Sequence, residues 1–401
     1  MREMRLEEVV EVNPEVLGAG TPSSLNFRYI DLSAVSRGTI SWHQLDIHKR
    51  STAPSRAQRR VRRGDCLFGT VRPLQQSHGY IDKNVDLLVA STGFAVLRAK
   101  PGIANSRFIY HWMLSSSALT QSDALAVGSS YPAVNESDVS KFRIVLPSLV
   151  EQQRIAEILD TLDAQIKSSQ LLVEKVTLLQ DGVIESIFSE ISPNGCIGEL
   201  LTGTPKNGIY KPSSDYADSG TPIIRIDRIQ RGEIQSQETL PRVKLSKSEE
   251  VQFALQADDI LINRVNSIDY VGKSALIRDL QETTVFESNM MRCRVNRNVA
   301  IPKFVATWLG TSHAMRHFRS SAKSAIAQAS VNQRDIRACP VPIADLNRQG
   351  DVIRIVDGIR AQKHLRELEL KKLQLLKQGL MDDLLSGRVR TPEAEAVLED
   401  L

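Results

Sequence analysis

The sequence predicts an α/β chain built twice: two similar α/β domains and two long helices that pair as an antiparallel coiled coil, the halves forming a pseudo-two-fold internal repeat. Three observations predict it. First, shifting the 401-residue chain by 197 lays one half on the other: Val183 to Ser189 falls on Leu380 to Ser386, Gly182 on Gly379, Asp160 on Asp357, Asn135 on Asn332 and Asp138 on Asp335. The register runs from about 135 to 189 without a gap, and a unit of this length is too long for a solenoid repeat. Second, each copy ends in heptad-spaced apolar residues. Third, each copy begins with short strand-like runs broken by turn formers.

The helices follow from the spacing. A 4-3 pattern from Ile155 picks out Ile155, Leu159, Leu162, Ile166, Ser169, Val173, Val176, Gln180, Val183 and Ile187, of which eight of ten are apolar. The same positions in the second copy run from Val352 to Leu384 with seven of ten apolar, broken by Lys363, Arg366 and Lys377. Such a pattern marks a coiled-coil seam. A helix of about 36 residues would span roughly 54 Å, and its stripe requires a partner. Leu365, Leu368, Leu375 and Leu376 lie off the second seam and need burial elsewhere. In the first domain, Phe94 to Leu97, Cys66 to Val71 and Ile144 to Leu146 read as strands and Ser106 to Leu119 as a helix. Matching strands near Pro222 to Ile226 and Asp259 to Ile262, with a helix from Pro302 to Ser312, repeat the plan. The resulting division is 1–147, 148–192, 193–345, 346–390 and an acidic tail over 391–401.

Composition narrows the class. No apolar run approaches the roughly 18 residues of a membrane span, and acids occupy the place of a signal peptide's apolar stretch. Four scattered cysteines point to a reducing cytosol, not to a disulfide scaffold or zinc site. Net charge is only +4, but the stretch Lys49 to Arg63 holds seven cations (Lys49, Arg50, Arg56, Arg59, Arg60, Arg62, Arg63) and no acid. Catalytic motifs fail. Gly272-Lys273-Ser274 lacks the glycine five residues earlier that a phosphate loop needs, since Ser267 stands there, and reads as a turn. There is no Gly-x-Gly-x-x-Gly, no Asp/Asn-Pro-Pro-aromatic tetrapeptide, and no His-Glu-x-x-His around His313 and His317. No catalytic residue and no metal ligand is assigned.

The segment Tyr131-Pro132-Ala133-Val134-Asn135, followed by Ile144-Val145-Leu146-Pro147-Ser148-Leu149-Val150-Glu151-Gln152-Gln153-Arg154-Ile155-Ala156, resembles the specificity subunit of type I DNA restriction–modification systems. Together with the duplication, the resemblance covers essentially the whole chain. It implies a non-enzymatic subunit with two target-recognition domains, each reading half of a split, asymmetric double-stranded DNA site. The helices would set the spacing and recruit two modification subunits, which carry S-adenosylmethionine and methylate adenine at N6; this chain would hold no cofactor. A motor-nuclease restriction subunit can join such a complex. The second copy departs from the pattern, with Arg348-Gln349-Gly350 in place of Glu151-Gln152-Gln153, which puts the second helix start and the equivalence of the two sockets in question.

Phosphate contacts supply affinity and base-edge contacts sequence choice. The basic stretch is the first candidate for phosphates. Arg72, and Arg264 with Asn266, follow matching strands and are candidate base readers, since Arg pairs with guanine and Asn with adenine. Gln76, His78, Lys206, Tyr210 and Lys273 complete the DNA-contact set. Trp112 and Trp308 read as core. Gln180 and Lys377 are symmetry mates in the seams, and Gly182 and Gly379 beside them suggest close approach of another helix; these four are the expected partner-binding residues. The competing reading is a coiled-coil interaction scaffold that binds no DNA. Salt-dependent binding to duplex DNA separates the two.

Overall fold

The structure, a computed structural model, describes residues 2–399 apart from 19, 231, 236–238 and 326–327. The last two residues of the acidic tail lie outside this set; its helix is Thr391–Glu399. The chain divides into two compact units, 1–171 with 367–401 and 172–366, so each of the long helices begins in one unit and ends in the other.

In unit 1, one four-stranded sheet has the order Val10–Val12, Phe94–Ala99, Cys66–Gly69, Gly79–Tyr80, all antiparallel. A second has the order Ile47–Lys49, Asn26–Ile30, Leu88–Ser91, Ala57–Val61, with the middle pair parallel. Arg2–Arg5 pairs with Arg143–Leu146. Unit 2 repeats the first sheet in the same order with Lys206–Asn207, Met290–Cys293, Ile260–Asn263 and Ser274–Leu276. Thr221–Ile224 and Val285–Phe286 supply its parallel pair, and Gly195–Cys196 with Pro340–Val341 its closing ribbon.

The expected single helices are each two. Ser106–Met113 ends where Ser115 accepts the Ala118 N–H and starts Ser116–Leu125. Pro302–Leu309 likewise gives way at Thr311 to Ser312–Ser321. A hydroxyl that caps a new helix breaks the old one. The long helices span Leu149–Ser189 and Leu346–Ser386, identical under the shift of 197 despite the altered second motif. The shared residue is the central glutamine. Gln152 is fully buried; its Oε1 accepts the Asn105 N–H, and its Nε2 donates to the Ile103 and Pro147 carbonyls. Gln349 does the same for Ile301, Val299 and Ala344. Ser148 and Asp345 cap the two helix starts.

Each unit packs the start of one long helix and the end of the other against its own sheet and short helices. Unit 1 buries Ile155, Leu159 and Leu162 in one cluster with Leu380, Leu384 and Trp112. Unit 2 buries Val352 and Val356 with Phe188, Phe304 and Trp308. The expectation of core tryptophans holds, and burial of each Leu, Ile, Val or Phe side chain in these clusters contributes about 1.5–3 kcal/mol. Polar contacts repeat as well. Arg107 pairs with Asp160, and Lys303 with Asp357. The Asp382 carboxylate takes the N–H and hydroxyl of Ser116, and Glu185 those of Ser312. Beneath each sheet, Arg98 holds Asp65 and Arg294 holds Asp259.

The seam residues differ between units. Lys377 forms an ion pair with Asp163. Their mates in unit 2 are Gln180 and Arg360, and Gln180 Oε1 is buried with no hydrogen-bond partner among the described residues. A Cβ built on Gly182 or on Gly379 would meet nothing within 4 Å among the described residues. Leu365, Leu368 and Leu375 stay more than half or half exposed, while Leu376 packs on the core of unit 1.

Candidate nucleic-acid interface

The basic stretch does not form one strip. Lys49 ends one outer strand of its sheet, and Arg59 and Arg60 lie on the opposite outer strand. Arg59 is largely covered and paired with Glu136; Arg60 faces Glu15 at 3.8 Å. Arg50 reaches the Ala57 carbonyl. Lys49, Arg56, Arg62 and Arg63 are exposed.

The strand ends behave differently. Beyond Cys66–Gly69 the chain enters a tight turn, Arg72 to Gln76, whose end residues both adopt left-handed backbone (φ 49° and 54°). Such strain in non-glycine residues concentrates at functional sites. The turn is tied to a hairpin around Tyr131: Arg72 N–H donates to the Pro132 carbonyl, and Val71 and Val127 both bridge Ala133. Unit 2 builds the same object from Val265–Asn266, Lys323–Ala325 and Gln328–Ser330, a three-stranded ribbon. Arg264 points its guanidinium at the Ser288 carbonyl, beside the loop that carries Tyr210. Lys273 follows the turn at Gly272 and stacks on Tyr270, 4.0 Å from the ring centroid; burial lowers its pKa. Gly272 has φ +85°, and a Cβ there would collide with Phe318, so the Gly-Lys-Ser motif is a turn between antiparallel strands. Tyr210 is 77% exposed, and Lys206 stands on an edge strand.

His78 is a correction. It is fully buried, stacked on Phe68 at 4.2 Å, and its Nδ1 accepts the Gly69 N–H. Burial pushes its pKa down to about 3, so it is a neutral core residue and no DNA contact. The aromatic of the hairpin, Tyr131, is the residue that sequence reasoning did not single out as a contact; its signal was its place in the quoted motif.

His111, Asp160 and Asp163 bring three potential metal-ligand atoms within 4.8 Å of one another. Their geometry serves packing instead. Arg107 and His111 hold Asp160, and Lys377 holds Asp163. Burial opposes ionisation of Asp160, but the His111 and Arg107 hydrogen bonds outweigh it and hold the carboxyl at about 2. Two cations already supply the charge that an ion would bring. Among the described residues no helix is long and apolar enough to cross a membrane.

The fold and its paired rims define a duplicated, two-headed α/β chain. Residues 57–177 match the type I restriction modification DNA specificity domain. The type I restriction enzyme EcoKI specificity subunit of Escherichia coli (strain K12) is 24% identical over 304 residues, covering 71% of this chain and 65% of that protein. The StySPI specificity subunit of Salmonella potsdam is 22% identical, covering 71% and 64%. The match thus spans just under two thirds of either relative's length. A solved chain from a study of complex assembly and conformational transition of the type I R-M system shares the fold with a TM-score of 0.67 at 22% identity, over 96% of this chain and 97% of that one. The HsdS subunit of Thermoanaerobacter tengcongensis gives 0.53 at 22%, over 97% of each. Residues 57–177 are thus similar to the type I restriction modification DNA specificity domain, and the similarity to type I specificity subunits extends over 71% of this chain.

Proposed function

We propose that this chain is the non-catalytic DNA sequence-specificity subunit of a type I restriction–modification complex in the cytoplasm. Each head reads one half of a bipartite, asymmetric duplex site. The long helices fix the gap between the halves and recruit two adenine-N6 methyltransferase subunits, and through them a restriction subunit. S-adenosylmethionine belongs to the modification subunits. The observation that carries this reading is a conserved internal frame beneath two chemically different rims: Arg107–Asp160 and Lys303–Asp357, Gln152 and Gln349 repeat, while Arg72 with Tyr131 gives way to Asn266 with Gln328. A frame kept twice with its rims changed suits two readers of unrelated half-sites.

The recruiting surface is assigned to Gln180 and Gly182 on one helix and to Lys377 and Gly379 on the other. Both copies read Lys-x-x-Leu-x-x-x-Gly, Lys175 to Gly182 and Lys372 to Gly379. Leu178 is 72% exposed and Leu375 66%, each one turn from a glycine with open space above it. Apolar surface repeated on both helices fits a protein partner. Because that space is open, Gly182→Leu and Gly379→Leu leave the fold intact. Each is expected to reduce co-purification of the modification subunit, and the double variant to abolish it. Undiminished capture by the double variant rejects the assignment.

A further inference from the structure

In unit 1 the end of the central strand and the hairpin beside it build one object from two distant stretches of sequence. Arg72 stands in left-handed backbone, a costly conformation for arginine. Its N–H is pinned by the Pro132 carbonyl, its Nη2 donates to the Ser130 carbonyl at 3.0 Å, and its guanidinium lies 4.3 Å from the centroid of the Tyr131 ring. Tyr131 is itself 70% exposed. One nitrogen and one face of the guanidinium are therefore fixed, and its remaining N–H groups form a fork held at the surface by a strained turn.

The internal repeat identifies the equivalent position in unit 2. Val71 bridges Ala133, and its mate Val265 pairs with Ser330, 197 residues after Ala133. Arg72 donates to Pro132, and Asn266 pairs with Ala329, again 197 residues on. In this register Asn266 occupies the place of Arg72, and the exposed Gln328 that of Tyr131.

Resting on the DNA-reading function proposed above, we propose that this strand-end and hairpin is the base-reading position of each head. Arg72 reads a G·C pair in one half-site, and Asn266 reads an A·T pair in the other. Tyr131 is a positioning residue that holds the Arg72 fork. The chemistry follows the two side chains: a planar fork of donors matches guanine O6 and N7, and a carboxamide matches adenine N6 and N7. Preorganisation by stacking lowers the ordering cost of binding.

The test uses the full-length chain assembled with its modification subunits, a duplex library with every site position randomised, and sequencing of the bound fraction. Arg72→Asn suits left-handed backbone and avoids a folding artefact. It is expected to lower the preference for G at one position on the order of 10-fold or more, as loss of one bidentate contact does, and to leave the other half-site unchanged. Asn266→Ala removes an adenine preference in the other half-site alone. Tyr131→Ala weakens the same guanine preference as Arg72→Asn, and Tyr131→Phe restores it. If the wild type enriches a bipartite site but Arg72→Asn keeps every base preference, or weakens all sequences equally, this assignment is wrong while the DNA-reading function stands. If the wild type enriches no sequence, both fall.

Discussion

Replacing Asp65 by alanine is expected to lower the stability of unit 1 by about 3–5 kcal/mol, the usual loss when one partner of a buried ion pair is removed. Asp65 is 1% exposed, and its two oxygens meet Arg98 Nε and Nη2, each at 2.8 Å. One of them also accepts the Arg62 N–H that shapes the turn into the Cys66 strand. Without the carboxylate, the Arg98 guanidinium, 11% exposed, keeps only Glu15 as an ionic partner. Glu15 is 37% exposed and offsets part of the loss, which places the expected value toward the lower end. Arg98 joins strands Phe94–Ala99 and Cys66–Gly69 at their base, so the damage should stay in unit 1. Hydrogen exchange separates the units: protection of those two strands falls in Asp65→Ala, while Ile260–Asn263 in unit 2 is unchanged. Full protection in unit 1 contradicts the account.

Acid should weaken the same unit through His78. Burial holds its folded-state pKa near 3, against about 6.5 in an unfolded chain. Between those values the unfolded state binds the extra proton, so stability is complete above pH 6.5 and falls as pH drops. At pH 5 one such group costs roughly 2 kcal/mol. Burial lowers the pKa of His111 too, although its bond to Asp160 opposes the shift, and this adds loss in the same direction. Unfolding of the wild type and of His78→Gln, followed at pH 7 and pH 5 by the exchange of Cys66–Gly69, should show a smaller acid loss in the variant. Equal losses would mean that His78 is protonated in the native state.

The frame was legible because its signals are periodic. Heptad spacing located both helices, and the 197-residue shift contained the contact that the altered second motif concealed, since positions 152 and 349 are both glutamine. The spacing did not fix the length: the helices are 41 residues each, longer than the seam alone suggests, because Ser148 and Asp345 cap them earlier. The rims were only half legible. Arg72, Arg264 and Asn266 could be placed from strand ends, but the hairpin around Tyr131 is held by isolated bridges that carry no period, so Tyr131 could not be brought to Arg72. Charge density misled in the basic stretch, because sheet order sends its two strands to opposite edges. His78 misled because a polar residue beside a turn looks exposed, whereas the Gly69 N–H and the Phe68 ring give it partners inside.

In the function proposed above, two heads read two half-sites across a gap set mechanically by helices. Inserting one matched heptad into each long helix lengthens each by about 10 Å, close to three base pairs of duplex at 3.4 Å each. Mapping methylated adenines in cells that carry the chain and its modification subunits should show a two-part motif for the wild type. The same two halves should then appear about three base pairs further apart for the lengthened chain. Unchanged spacing between the halves, or a single contiguous motif, would contradict it.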